Sequence, residues 1–174
     1  MKTSPQIDLP LAAQPQPSHF DIAAREYLLA AEMLWSKQKV EDIPVIAPLS
    51  QCLATGIELF LKARLLTKGY DAGNLRKKYG HDIYKLWMLP DFAEMRRHAQ
   101  DVAEACVLAK KSDIPDPQKY TVNWTVEYLS KLYGQETFYA LRYPSGVTQV
   151  PYAQPLLWVM YELLDDPRWN GKQA

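Results

Sequence analysis

The segment between Pro44 and Gly69 is the feature that most limits what this chain can fold into. A proline is tolerated in the first turn of a helix and a glycine is common just past its end, so these two residues predict the bounds of one long helix. At helical spacing its apolar residues fall on two separate arcs: Leu49, Leu53, Gly56 and Phe60, and then Ala54, Leu61 and Leu65. Because a helix with two apolar arcs needs neighbours on both, the pattern predicts the interior rod of a helical bundle.

A narrow polar track lies between the two arcs and consists of Gln51, Thr55, Glu58 and Lys62. Glu58 precedes Lys62 by four residues, which is the favourable order for an ion pair along a helix. The pair has two interpretations. It is either a partly exposed ion pair that contributes little to stability, or part of one wall of a polar groove. The sequence leaves both open.

The rest of the chain also carries helical signals, and no segment shows a convincing strand pattern. Ser18, with Asp21 three residues later, predicts the capped start of the first helix. The remaining helices are expected at 81–89, 92–111, 120–134 and 153–166. We interpret residues 70–80 as a loop. The predicted fold class is all-α, an up-and-down helical bundle of five to six helices.

Length and composition set the domain organisation and exclude several function classes. Residues 1–17 contain four prolines and predict a flexible tail, whereas 18–174 are long enough for one helical domain. A formal net charge of zero argues against wholesale electrostatic capture of nucleic acid or anionic membrane. Two cysteines and three histidines without ligand spacing predict neither a disulfide framework nor a metal site, and we expect no cofactor. The N-terminus fails as a signal peptide, so a cytoplasmic location is expected.

One local charge feature departs from this neutrality. Six basic residues and one acid lie between Lys62 and Lys78. The candidate nucleic-acid patch consists of Lys68, Arg76, Lys77, Lys78 and Tyr79. Its lysines and arginine suit phosphate, and its tyrosine ring is available to stack on a base. The alternative is a solvated segment whose cations offset acids elsewhere and favour a helix C-terminus.

Three stretches, in this order, resemble one family. They are CLATGIELFLKARLLTKG, KKYGHDIYKLW and YALRYPSG, and they are similar to the second helix, the His-Asp step and the Arg-Tyr-Pro turn of HEPN domains, the higher-eukaryote and prokaryote nucleotide-binding helical family. The resemblance covers about residues 18–166 and implies a helical bundle that pairs as a homodimer. Some members of the family are metal-independent ribonucleases with an Arg-x4–6-His motif. Others lack that motif and bind ligands, often beside a nucleotidyltransferase partner.

Arg76 and His81 have the spacing of the ribonuclease motif and are the candidate catalytic residues. A histidine moves protons near neutral pH, and an arginine stabilises charge on a phosphorane, so the residue types suit RNA cleavage without metal. The motif nevertheless precedes the helix in which ribonuclease members carry it, and Lys77 stands where a small polar residue is usual. The alternative is that His81 or Asp82 caps the next helix.

The resemblance also suggests that Glu58, Lys62, His81 and Arg142 meet at one groove, with Asp82 beside it and Tyr143 placed to stack on a ligand. One carboxylate, two cations and an imidazole suit an anionic or nucleotide ligand, or a purely structural polar network. We therefore predict a non-catalytic HEPN-like module that binds a nucleotide or RNA, as a homodimer and with a nucleotidyltransferase as a candidate partner. The alternatives are a ribonuclease and a purely structural dimerisation protein.

Overall fold

The computed structural model describes residues 15–41, 45–109, 120–134 and 153–169, and every regular element in them is helical. The α-helices are α1 (Pro17–Glu41), α2 (Ile46–Thr67), α3 (Ala72–Tyr79), α4 (Ile83–Trp87), α5 (Ala93–Leu108), α6 (Val122–Tyr133) and α7 (Ala153–Asp165). A single 3-10 turn, Pro90–Phe92, precedes α5. The all-α class is confirmed. The described residues contain seven α-helices, one more than the largest number expected.

Helix α2 is the interior rod that its two apolar arcs predict. It packs along α1 and also contacts α4, α6 and α7. Both arcs are buried throughout. Gly56 is needed where α1 comes closest, because a Cβ there would lie 2.8 Å from Cγ of Leu28 and 3.3 Å from the carbonyl oxygen of Ala24. The helix ends before Gly69, as predicted, and Gly69 has a left-handed conformation with a φ of 87°.

Helix α3 is a correction, because residues 70–80 were expected to form a loop. The Asp71 side chain accepts a hydrogen bond from the Asn74 backbone N–H at 2.8 Å and caps the helix. Leu75 is the only residue of α3 that is fully buried, so the segment lacks the apolar periodicity by which a helix is recognised. Gly80 then ends α3 with a φ of 53°.

The starts of α1 and α4 give opposite outcomes for the capping predictions. Helix α1 begins at Pro17, which places Ser18 inside the helix, and Asp21 binds the Arg64 guanidinium instead of returning a bond to a cap. The prediction of a Ser18 cap is therefore wrong. In α4 the Asp82 side chain accepts from the Lys85 backbone N–H at 2.9 Å, as expected of a capping residue.

The hydrophobic core joins α2 to α1 and α7, the first and last helices of the described residues. Trp87, Phe60 and Phe92 are its largest fully buried side chains. The Trp87 indole N–H donates to the Asn123 side-chain oxygen at 2.7 Å, which links α4 to α6. Among the helices of the described segments, none is both long enough and apolar enough to cross a membrane.

Candidate functional site

A cleft of about 640 Å³ lies where the end of α3 and the start of α4 face α6. Its lining among the described residues consists of Lys77, Lys78, Tyr79, Gly80, His81, Asp82, Tyr84, Lys85, Glu127, Ser130, Lys131 and Gly134. Four of these residues are lysines and two are acids, so the cleft is basic although the whole chain is neutral. The imbalance makes the cleft attractive to an anion.

Behind the cleft wall, Glu58 joins α2 to the segment between α3 and α4. Its Oε1 accepts from Lys62 Nζ at 2.5 Å, and its Oε2 lies 3.0 Å from Nδ1 of His81. The Glu58 and Lys62 side chains are only 6% and 10% exposed, which decides against the half-exposed ion pair as an interpretation of the spacing. The two residues do not line the cleft. They support the residues that do.

Lys62 extends this support to the backbone. Its Nζ donates to the Gly80 carbonyl oxygen at 2.7 Å, in addition to its bond to Glu58. Gly80 is the residue that ends α3. The buried ammonium therefore fixes the turn between α3 and α4, which lines the cleft. A lysine is suited to this because its ammonium carries three donors around one charge.

His81 is fixed from two sides while its side chain stays 46% exposed. The Glu58 carboxylate holds Nδ1, and the ring meets that of Tyr133 edge-on, with centroids 5.5 Å apart and an interplanar angle of 86°. The Tyr133 hydroxyl lies 3.3 Å from Oγ1 of Thr55. Since a carboxylate only accepts hydrogen bonds, Nδ1 of His81 carries the hydrogen that points at Glu58.

Asp82 is the second acid at this corner and binds within the wall. Its Oδ2 lies 2.8 Å from Lys85 Nζ, and Ser130 Oγ donates to Oδ1 at 3.3 Å. Ser130 also accepts from the Tyr84 backbone N–H at 3.1 Å, which fastens α4 to α6. Burial acts to raise the pKa of Asp82, but the hydrogen bonds and charge of Lys85, with the bond from Ser130, outweigh it and hold that pKa below its ordinary value.

The predicted nucleic-acid patch divides into two parts. Lys77, Lys78 and Tyr79 line the cleft, and the Lys78 ammonium lies 5.2 Å from the centroid of the Tyr79 ring. Lys68 does not line the cleft. It follows the C-terminal end of α2, and its Nζ is 3.4 Å from Oδ1 of Asp91. Arg76 belongs to the last turn of α3 and is exposed, but it does not line the cleft.

The structure brings Glu58, Lys62 and His81 into contact with one another, but of these three only His81 lines the cleft. Arg142 and Tyr143, the other members of the groove hypothesis, lie outside the described residues. Arg76 and His81 are five positions apart in the sequence, and only His81 reaches the cleft.

Sequence reasoning missed the contribution of α4 and α6, namely Tyr84, Lys85, Glu127, Ser130 and Lys131. Glu127 and Lys131 do form an ion pair at 2.7 Å, and their spacing of four residues signals an exposed helix face. Nothing in that spacing shows which helix the face adjoins. The contact between α4 and α6 is made by residues far apart in the chain.

Chemically, the cleft offers ammonium groups, hydroxyls and an oriented imidazole around one space. Ammonium groups act as point charges for phosphate, and an imidazole either donates or accepts a hydrogen bond. No three His, Cys, Asp or Glu side chains within the described segments lie together in a way that would hold a metal ion.

No protein-family model, curated protein or solved structure matches this chain. A function for the cleft therefore has to be inferred from its own residues and from the three motifs quoted above.

Proposed function

We propose that this chain is a non-catalytic HEPN-like helical module that binds the phosphate of a nucleotide or an RNA in the basic cleft. The observation that carries the proposal is the set of four lysines around a cleft that contains two acids. Lys85 and Lys131 are each paired with one of those acids, at 2.8 Å and 2.7 Å. Lys77 and Lys78 then supply the excess positive charge.

The position of Lys77 and Lys78 supports an anionic ligand. Both belong to the last turn of α3 with Arg76, so three cations follow one another directly. A helix C-terminus stabilises nearby cations, which explains how α3 tolerates them. Their mutual repulsion is a cost that a bound phosphate relieves, because one anionic phosphate interacts with several cations at once.

Under this proposal Glu58 and Lys62 position the ligand-binding residues instead of touching the ligand. Glu58 orients the His81 ring, and Lys62 fixes the Gly80 carbonyl beside it. A buried pair of this kind restricts the wall to one arrangement, so less order has to be gained when a ligand binds.

The test is binding of fluorescein-labelled RNA, measured by anisotropy at several salt concentrations in EDTA. The variant Lys77→Gln with Lys78→Gln is expected to weaken binding and to lower the slope of log affinity against log salt by about one to two, because each phosphate-contacting lysine contributes about one. The matched control is Lys68→Gln with Arg97→Gln, which removes the same charge away from the cleft. Equal slopes in the two variants would contradict the proposal.

The same samples separate binding from the ribonuclease alternative. That alternative needs Arg76 and His81 at one phosphate, and the absence of Arg76 from the cleft lining favours binding without cleavage. We expect intact RNA after incubation with the purified protein. Cleavage in EDTA that both Arg76→Ala and His81→Ala abolish would replace our proposal with the enzymatic one.

We further propose that the module acts as a homodimer in the cytoplasm, with a nucleotidyltransferase as its expected partner, as the resemblance implies. Ile22, Leu29 and Met33 support pairing, because these exposed apolar residues share one side of α1. Light scattering after size exclusion should give a dimer mass that Leu29→Glu with Met33→Glu reduces. Leu108→Glu, at an exposed leucine on α5, is the control. A monomer mass in the unmodified chain contradicts pairing.

A further inference from the structure

Helix α6 carries an aromatic pair, exposed Trp124 and half-buried Tyr128, that has no role in the phosphate binding proposed above. Trp124 and Tyr128 stack with ring centroids 5.5 Å apart and an interplanar angle of 27°. Trp124 is 51% exposed. Tryptophan is highly buried on average, so a half-exposed indole that is already braced by a second ring presents a flat apolar surface to solvent.

The aromatic pair adjoins the cleft. Tyr128 and Lys131 are three residues apart and Trp124 and Lys131 are seven apart, so all three share one side of α6. Lys131 and Glu127 line the cleft. At the rise of an α-helix, Trp124 lies about 10 Å along the axis from Lys131. The flat surface and the basic cleft are therefore neighbours on one helix.

We propose that the cleft and the Trp124–Tyr128 pair are two subsites of one surface that binds single-stranded nucleic acid. A backbone phosphate lies among the lysines of the cleft, and the base of a nearby nucleotide stacks on the indole of Trp124. The inference rests on the proposed function and specifies its ligand as a single strand that places one phosphate in the cleft and one base on Trp124. Aromatic side chains beside a basic groove are the combination by which proteins hold single strands without reading their sequence.

Two features favour a single strand over other occupants. The bases of a duplex are stacked on one another, whereas those of a single strand are available to an aromatic side chain. A second copy of this chain is disfavoured, because the lysines of the adjoining cleft complement a polyanion and this chain has a formal net charge of zero.

The experiment compares two probes, a labelled oligouridylate of twelve nucleotides and uridine monophosphate. Trp124→Ala is expected to weaken binding of the oligonucleotide about 5- to 150-fold, which is the range for one stacked base, and to leave the mononucleotide unchanged. Trp124→Phe keeps an aromatic face and should retain most of the affinity. Tyr27→Ala, at an exposed aromatic residue on α1, is the matched control and should change neither probe.

The outcomes separate this inference from the proposed function. If Lys77→Gln with Lys78→Gln weakens neither probe, the proposed function fails, and the inference fails with it. If the lysine variant weakens both probes and Trp124→Ala weakens neither, the proposed function stands and the two-subsite surface is overturned. Loss of a dimer in Trp124→Ala with unchanged oligonucleotide affinity also overturns it, because a second copy then occupies the pair. Trp124→Leu, which lacks a π face, gives the same readout if the alanine variant does not fold.

Discussion

Helix α2 carries two buried ion-pair groups whose surroundings differ. The cleft cluster, formed by Glu58, Lys62 and His81, continues outward to an imidazole that is nearly half exposed. The α1 pair, formed by Asp21 and Arg64, binds α1 to α2 and leaves the Arg64 side chain 5% exposed. One group connects the core to a surface site. The other joins two helices.

The two groups also differ in how far their polar atoms are satisfied. Each Glu58 oxygen has a partner, and Lys62 Nζ has two acceptors. Arg64 donates from Nη2 to Asp21, but Nε and Nη1 find no acceptor among the described residues. Burial lowers the pKa of Arg64 to about 10, although its guanidinium lies 5.0 Å from the Phe60 ring centroid. The buried Arg64 charge is thus tolerated with one partner, whereas Glu58, which orients His81, has a partner at each of its two oxygens.

The largest effect is expected when the α1 pair is broken. Asp21→Ala leaves a buried guanidinium without its counter-charge, which should lower the free energy of unfolding by about 3 kcal/mol. Urea denaturation followed by circular dichroism measures the change. The cleft lies elsewhere, so RNA affinity of the folded variant should be unaltered.

The control for this prediction removes both charges together. Asp21→Leu with Arg64→Met replaces the pair by apolar side chains and should restore most of the lost stability, because no buried charge remains unpaired. A double variant as unstable as Asp21→Ala would show that packing, and not an uncompensated charge, is what the single substitution disturbs.

A smaller stability effect with a functional consequence is expected in the cleft cluster. Glu58→Gln keeps an acceptor for Lys62 but removes the charge opposite a buried ammonium, which should lower the free energy of unfolding by about 2 kcal/mol. It should also weaken RNA binding, because His81 loses the carboxylate that orients it. Parallel urea and anisotropy measurements report the two effects.

Glu127→Gln is the matched control for stability. It alters a second Glu–Lys pair at the same spacing, whose side chains are 36% and 54% exposed. An exposed pair contributes less than about 0.5 kcal/mol, so the control should barely change the urea midpoint. Equal losses in Glu58→Gln and Glu127→Gln would contradict the distinction between buried and exposed pairs.

Sequence reasoning identified much of the cleft cluster because its signals are local. The ion pair between Glu58 and Lys62 follows from a spacing of four residues, and the capping role of Asp82 follows from a spacing of three. Both predictions are confirmed. The interior position of α2 follows from its two apolar arcs, both of which are buried.

The features that sequence reasoning missed depend on contacts between distant segments. Helix α3 has one buried residue, Leu75, and is stabilised by the Asp71 cap and by its packing on α2 and α4. The bond between Asp21 and Arg64 joins residues 43 positions apart, so no local pattern distinguished it from a cap. Lys131 was missed for the same reason: the contact between α4 and α6 is a property of the folded chain.

The smallest expected effect is the pH dependence of stability that Asp82 causes. Asp82 follows His81, the exposed member of the cleft cluster. The pKa of Asp82 is held below its ordinary value in the folded protein, so the charged form favours folding. This contribution is present above the unfolded pKa of about 3.9 and is lost as the pH falls through the folded value. Asp82→Asn keeps a capping oxygen and cannot titrate. Because Asp82 is 33% exposed, its charge should contribute no more than about 1 kcal/mol.

The difference in urea midpoint between the unmodified chain and Asp82→Asn should therefore be larger at pH 7 than at pH 3, because the charge contribution declines once the pH falls below the unfolded pKa. Asp71→Asn makes the same change at the N-terminal cap of α3. It serves as the control for losing a capping carboxylate at a site that lacks the Lys85 and Ser130 contacts. A difference that is the same at pH 3 and pH 7 would mean that Asp82 acts through its oxygen geometry alone. The charge of Asp82 would then have no part in holding α4 against α6.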